Sequence, residues 1–317
     1  MQAVILAAGQ GSRLHPITLN RSKAMLPILG KPMVERVMED IVCNGISEFI
    51  LVISPDDSQI KQYFEHESQL SIKIIFVIQP ERRGMADALR YAAPFITSDF
   101  FLSACDNLIS VEHIKNILSR WHTDPRPNGI LTLMPVTPDV IQHVGIVELE
   151  GQWLKRIIEK PSPDQAPTNI ASLPLYCFSP RILDYLAEVI PSSRGEYELQ
   201  DAIQMLIERD GAVCGVETAW RQTVTNAADL LAINKHYLIQ GNQKPQLAPY
   251  SVGAETHLIT PLHIEEGTII GKQCLIGPNV YIERDCYIGN NVKIKNAVIL
   301  RETRIDNKTK IENQVYS

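Results

Sequence analysis

Two glycines one residue apart, Gly9 and Gly11, lead into Arg13, and Lys23 follows within the same connection. Glycines let backbone N–H groups approach an anion closely, while arginine and lysine add full positive charge. These residue types together suit the gripping of phosphate. Neither common phosphate loop fits: a P-loop needs GxxxxGK[ST], and GxGxxG fails because Leu14 stands where the third glycine belongs. Further polar groups follow apolar runs: Gln79 and Gly84 in QPERRGMADAL, Asp106 in CDN, and Glu159 with Lys160 in IEKP. Asp106 offers either a metal ligand or a helix cap. Glu159 and Lys160 either serve a ligand or pair on the surface. None of the eight histidines has metal-ligand spacing, and the six cysteines contain no CxxC pair, so neither a zinc site nor a disulfide framework is indicated.

The elements that must carry these residues are legible as short β-prone runs alternating with amphipathic segments. AVILA, FILVI, IKIIFVI, FFLSAC and ILTLMPV are the runs, and the alternation predicts a mostly parallel α/β sheet. After Pro32, Val34, Val37, Met38, Ile41 and Val42 recur at helical spacing, with Gly45 as a C-terminal cap. Past Val136 a hairpin turning at Glu150-Gly151, a strand in LPLYCF and a helix over Leu199–Arg209 are expected. In open α/β sheets ligands sit beyond the carboxyl ends of the strands, which is where the opening loop and CDN fall.

A second regime follows the polar, proline-containing stretch QGNQKPQLAPY, read as a linker over 241–250 between a domain at 1–240 and another at 251–317. Ile264, Ile270, Ile276, Ile282, Ile288, Ile294 and Leu300 recur every six residues, with Cys274, Val280, Cys286, Val292 and Val298 at the fifth place of the hexads. This period predicts a parallel β-helix. After Leu300, Ile305 and Ile311 fall out of phase, so the helix is expected to fray or be capped there. Hydrophobic residues at 45%, charged residues at 21% and a net charge of -6 describe a soluble chain without general affinity for nucleic acid or anionic membrane. No membrane span or secretory signal is read in the sequence, and a cytoplasmic protein is expected.

The joined segment LAAGQGSRLHPITLNRSKAMLPILGKPMV (Leu6 to Val34) strongly resembles the sugar-1-phosphate nucleotidylyltransferases. The likeness continues through QPERRGMADAL, CDN, VGIVEL, IEKP, RGEYELQDAI and AADLLAIN, over nearly all of the first 240 residues. It implies a Rossmann-like, mostly parallel sheet followed by a short left-handed β-helix of hexapeptide repeats. It also implies in-line attack of a sugar 1-phosphate on the α-phosphorus of a nucleoside triphosphate, releasing pyrophosphate. By resemblance, Arg13 and Lys23 hold the triphosphate and leaving group, and Leu6, Ala8, Gly9, Gln10, Gly11 and Ser12 wrap the nucleotide. Gln79 and Gly84 read the base, with UTP or dTTP favoured by RGMADAL. Asp106 carries Mg²⁺, while Gly145, Glu159, Lys160 and Asn169 hold the sugar phosphate.

Two positions depart from that pattern. An aspartate normally follows the tryptophan of AWRQTV by two residues as a second metal ligand, and this chain has Gln222; a glycine with an available N–H normally stands at Pro174. Beside an active enzyme, two other readings therefore stand: a catalytically weak paralogue that binds nucleotide and regulates a partner, and, for the repeats, an acyltransferase with His257 or His263 as base. Tyr176, Trp153 and Trp220 are read as packing residues. The repeats are expected to support a homo-oligomer.

Overall fold

The structure, a computed structural model, describes residues 1–241 and 250–317, so the expected linker lies, its two end residues aside, outside the described residues. Two compact units result: Met1–Gln10 with Val34–Arg221, and Gly11–Met33 with Gln222–Ser317.

The first unit is built on a nine-stranded sheet. Its parallel part comprises β1 (Gln2–Leu6), β2 (Glu48–Ile53), β3 (Lys73–Ile78) and β4 (Phe100–Ala104), in the spatial order β3-β2-β1-β4. Beyond β4 the order continues β8 (Ile170–Phe178), β5 (Gly129–Pro135), β9 (Val213–Glu217), β7 (Trp153–Glu159) and β6 (Gly145–Glu150). β8 runs antiparallel to both β4 and β5, and β6–β7 is the expected hairpin. Every residue of β1 is buried, as a central strand covered on both faces requires.

Amphipathic helices supply the cover. In α1 (Met33–Val42) the apolar residues Val34, Val37, Met38 and Ile41 are all buried, one face at helical spacing. Helices α2 (Ser58–His66), α3 (Met85–Ala92) and α4 (Val111–Trp121) follow the next three parallel strands. Ala86, Leu89 and Ala92 of α3 pack with Leu199, Ile203 and Leu206 of α5 (Leu199–Arg209) against Val4, Leu6, Ile50 and Val52. Burying the leucine, isoleucine and valine side chains among these contributes about 1.5–3 kcal/mol each, before conformational entropy is set against it.

In the second unit, parallel ladders step along the chain by eighteen residues: Ser251 pairs with Ile269 and Ile269 with Tyr287, while Leu262 pairs with Val280. Ile264, Ile270, Ile276, Ile282, Ile288 and Ile294 fill one core with Cys274 and Cys286, so both thiols are buried wall residues. The expected fraying after Leu300 does not occur. Ile276 pairs with Ile294, eighteen on, yet Val280 pairs with Ala297, seventeen on. One residue is thus missing between Ile294 and Ala297. Ile299 pairs with Ile282 and takes the core place expected for Leu300, Ala297 takes that of Val298, and Ile305 and Ile311 return to the core. Leu300 instead packs with Leu29, Leu238, Tyr281 and Val298.

Helix α6 (Ala227–Gln240) belongs to this second unit and starts at a capping box formed by Asn226 and Asp229. No helix among the described residues is long and apolar enough to cross a membrane.

Candidate active site

Strand register decides which residues of the first unit leave the sheet together. Leu6 lies opposite both Val52 and Ala104, the Ala7 N–H donates to the Val52 carbonyl at 2.7 Å, and the Cys105 N–H donates to the Leu6 carbonyl at 3.1 Å. Ala8, Gly9 and Gln10 therefore emerge beside Asp106 at the carboxyl edge. Gln79 joins the same edge through its N–H to Ile53 O at 2.9 Å. A Cβ at Gly9 would meet nothing within 4 Å, so the folded chain leaves open space there.

Gln79 is buried, and its amide donates to Asp87 Oδ2 at 2.8 Å and to Gly84 O at 3.3 Å. Its orientation is thereby set. Gly84 precedes α3 with φ +99°, and a Cβ there would lie 2.5 Å from Tyr197 O, so the glycine is required by the close passage of the Tyr197 backbone. Arg82, not singled out in the sequence, donates from Nε to Ala8 O at 2.8 Å and tethers this loop to the end of β1.

Gly11, Ser12, Arg13 and Lys23 fall in the second unit. Gly11 has φ +67°, and a Cβ there would come within 3.0 Å of Lys23 Cβ; the Thr18 hydroxyl donates to Gly11 O at 2.8 Å. Arg13 is exposed on the short turn Ser12–Leu14, and Lys23 opens the next, Lys23–Met25. The segment is anchored from below. Arg21 reaches both carboxylate oxygens of Glu283, at 2.8 and 3.0 Å, with both side chains buried. Fully buried Asn234 accepts from Leu29 N–H at 3.1 Å and donates to Pro27 O at 3.1 Å, while Tyr281 Oη accepts from Gly30 N–H at 3.2 Å.

A second polar group of the first unit gathers at the hairpin. Gly145 lies opposite Glu159, and a Cβ at Gly145 would sit 3.2 Å from Glu159 Oε2. Glu159 Oε1 pairs with Lys160 Nζ at 3.2 Å and with Arg194 at 4.0 Å, whereas Oε2 is buried with no hydrogen-bond partner. Burial raises the Glu159 pKa against the pull of Lys160. Lys160 holds φ +45°, an uncommon backbone for a residue with a side chain. Asn169 is exposed, and its carbonyl accepts from Val136 N–H at 2.9 Å.

Near Asp106, within the first unit, lie residues that the sequence reading passed over. Arg221 donates from Nε to Oδ1 of buried Asn107 at 2.8 Å, and the Asn107 amide nitrogen is buried without a partner. Burial lowers the Arg221 pKa against the attraction of Asp106 and Tyr176. The only signal in the sequence was a charged residue between Trp220 and the anomalous Gln222. Tyr176 is fully buried, as a packing residue should be, and its hydroxyl also hydrogen-bonds Ser172 at 3.2 Å. Pro174 lies where the β8–β5 ladder shifts register, between Leu173 and Tyr176, so its missing N–H costs no ladder bond.

A resident Mg²⁺ needs several oxygen ligands, mostly anionic. Among the described residues no three His, Cys, Asp or Glu side chains converge on such a site. Asp106 stands in the field of the Arg221 guanidinium, and the residue type at 222 is a neutral glutamine where the resemblance implies a second carboxylate. This donor set does not fit a magnesium ion held by the protein alone.

A doubly covered, mostly parallel sheet with glycines and polar side chains at its carboxyl edge defines an α/β nucleotide-binding architecture. The profile described as nucleotidyl transferase matches residues 2–239, and the chain belongs to that family. A second profile, the GMPPB C-terminal domain, matches residues 258–316. The low-salt glycan biosynthesis nucleotidyltransferase Agl11 of Haloferax volcanii is 31% identical over 74% of this chain and 65% of its own. The UTP–glucose-1-phosphate uridylyltransferase AglF of the same organism is 30% identical over 70% of this chain and 90% of its own. A crystal structure of UDP-glucose pyrophosphorylase complexed with UDP-glucose superposes with a TM-score of 0.68 at 22% identity, over 75% of this chain and 98% of that one; this likeness shows the fold alone. The chain spans 65%, 62% and 54% of the length of the first curated relatives it matches.

Proposed function

We propose that this chain transfers a nucleoside monophosphate from UTP or dTTP to a sugar 1-phosphate, giving an NDP-sugar and pyrophosphate. The observation that carries the reading is the Glu159–Lys160 pair. A buried carboxylate oxygen without a partner next to an ammonium group is complementary to a molecule that carries both a hydroxyl and a phosphate. Family membership and the name of AglF agree with it.

In this reading a sugar-phosphate oxygen attacks the α-phosphorus as the bond to the bridging oxygen of pyrophosphate breaks, with no net proton transfer. Two anions must be brought in line, so the protein's contribution is alignment and positive charge. Lys160 holds the sugar phosphate, Glu159 accepts a sugar hydroxyl, Gly145 offers its backbone, and Asn169 stands at the rim. Leu6, Ala8, Gly9, Gln10, Gly11 and Ser12 line the nucleotide, with Arg13 and Lys23 on its phosphates. Gln79, whose amide nitrogen is already engaged, presents Oε1 to a base N–H beside Gly84. The triphosphate enters as its magnesium complex, the ion being part of the substrate.

Residues 1–240 act as the catalytic domain and 241–250 as the linker. Residues 251–317 form a left-handed β-helix of hexapeptide repeats, a reading supported by the eighteen-residue steps. Exposed Ile269 and Tyr287, side by side on that sheet, with exposed Leu275, favour contact with a second copy in a homo-oligomer. The nucleoside triphosphate substrate points to the cytoplasm. Pyrophosphate release from UTP or dTTP across a panel of sugar 1-phosphates tests the reading: turnover that drops on Glu159→Gln supports it. Silence across the panel overturns it, and binding without turnover would favour the regulatory paralogue.

A further inference from the structure

We infer that Arg221 is a polyphosphate-binding residue whose guanidinium supplies, next to Asp106 and Asn107, the positive charge that a protein-held metal would otherwise bring. The inference rests on the nucleotidylyltransferase reading and goes beyond it in naming a cation the sequence pattern did not contain.

Charge comes first. With a second aspartate at position 222 and a neutral residue at 221, the two protein carboxylates would carry -2 and favour a dication. Here Asp106 and Arg221 sum to zero and Gln222 adds nothing. The protein thus offers a free divalent ion no net charge to attract it there. Geometry comes second. Arg221 uses Nε for Asn107 Oδ1 at 2.8 Å, one of the five donors of a rigid planar fork, and that bond fixes the plane of the group. A guanidinium so held presents paired N–H donors of the kind that match two oxygens of one phosphate.

Solvation comes third. Arg221 is only partly exposed and its Nε is committed to Asn107, so water solvates its charge incompletely and an arriving anion supplies the missing partners. The unpartnered Asn107 amide nitrogen, on the same residue that orients Arg221, is a further donor for an oxyanion.

The test uses the full chain and inorganic tripolyphosphate, which carries no base or sugar, with binding read by calorimetry in excess EDTA. Wild type should bind. Arg221→Gln should weaken binding by on the order of tenfold to a hundredfold, and Arg221→Lys should recover part of the loss. Thermal melts establish that each variant is folded, and should Arg221→Gln not fold, the Arg221→Lys deficit alone decides. Manganese binding by electron paramagnetic resonance, without nucleotide, should be negligible in wild type and appear in the Arg221→Leu/Gln222→Asp double variant. Unchanged tripolyphosphate affinity in folded Arg221→Gln, wild-type binding that requires a divalent ion, or stoichiometric manganese binding by wild type would each overturn the inference while leaving the nucleotidylyltransferase reading in place. Wild type that binds neither tripolyphosphate nor UTP under any condition would remove both.

Discussion

Arg21 and Glu283 are 262 positions apart in the chain and form a bidentate pair whose side chains are 6% and 8% exposed. Glu283 Oε2 also accepts from the Arg301 N–H at 2.7 Å. Replacing Glu283 by leucine leaves a buried guanidinium without its counter-charge, which costs about 3–5 kcal/mol, plus about 1 kcal/mol for the orphaned Arg301 N–H. At roughly 2–4 °C per kcal/mol, the melting temperature should fall by roughly 8–24 °C. Because Arg21 lies between Arg13 and Lys23 on one segment, loosening it should also weaken UTP binding. Denaturant melts of the full chain and calorimetric titration with UTP read the two effects. The discriminating variant is Arg21→Met/Glu283→Leu, which removes both charges and should regain most of the stability lost by either single change. If Glu283→Leu costs less than about 1 kcal/mol and leaves UTP affinity unchanged, or if the two single costs simply add in the double variant, the anchoring argument is wrong.

Three further outcomes are expected. His113 is buried with Nε2 2.9 Å from Thr132 Oγ1, and burial lowers its pKa to about 4. Between the unfolded value near 6.5 and about 4 the unfolded chain binds the extra proton, so this group costs stability as pH falls through that window, on the order of 3 kcal/mol in all. Asp40, pushed up to about 7 chiefly by burial, works in the opposite sense, so the quantity to measure is the difference between wild type and His113→Gln in urea melts from pH 7 to 4; a constant difference would refute the assignment. Gly84→Ala should lower the unfolding free energy read from urea melts by at least about 1–3 kcal/mol, since a Cβ at φ +99° would lie 2.5 Å from Tyr197 O, whereas Gly9→Ala should leave stability within about 0.5 kcal/mol and act on nucleotide affinity alone. Lys160→Ala should raise KM for the sugar phosphate by about tenfold to a hundredfold and leave KM for the triphosphate unchanged, measured by pyrophosphate release.

What the sequence made legible is what local rules govern. The strand runs, the α1 face at Val34, Val37, Met38 and Ile41, the Glu150-Gly151 hairpin and the Leu199–Arg209 helix all follow from periodicity and turn chemistry within a dozen residues. The strand-end positions of Gly9, Gln79 and Asp106 follow from the same rules, because a run that becomes a strand carries its last residues to a sheet edge. What stayed hidden depends on contacts with no local trace. A one-residue deletion between Ile294 and Ala297 reads as decay of a repeat until pairing shows Ile299 in the core and Ile305 and Ile311 back in step. Gly84 looked like a ligand-approach glycine, and its conformation answers first to the Tyr197 backbone, 113 positions away in sequence.

The same distinction bears on how the opening segment does its work. Gly11–Met33 is short, rich in turns and without a long helix or strand, so its own backbone gives it little stability. Its order comes instead from Asn234 on α6 and from Tyr281 and Glu283 of the repeat region, through hydrogen bonds to Pro27, Leu29 and Gly30 and the ion pair to Arg21. The cations proposed to grip phosphate, Arg13 and Lys23, are therefore carried by a loop that the C-terminal strands hold in shape. Substitutions in the repeat region should then alter triphosphate affinity without touching any nucleotide-lining residue. Tyr281→Phe probes that route, since it deletes the acceptor for Gly30 N–H, together with the hydroxyl's own bond to Glu265 Oε1, while keeping the ring in its core with Leu29 and Leu238. A loss of UTP affinity of roughly three- to tenfold, with sugar-phosphate KM unmoved, is the expected result from about 0.5–1.5 kcal/mol of lost hydrogen bonding. Equal loss of both affinities would instead mean that the repeats support the whole molecule's stability and have no particular hold on the loop.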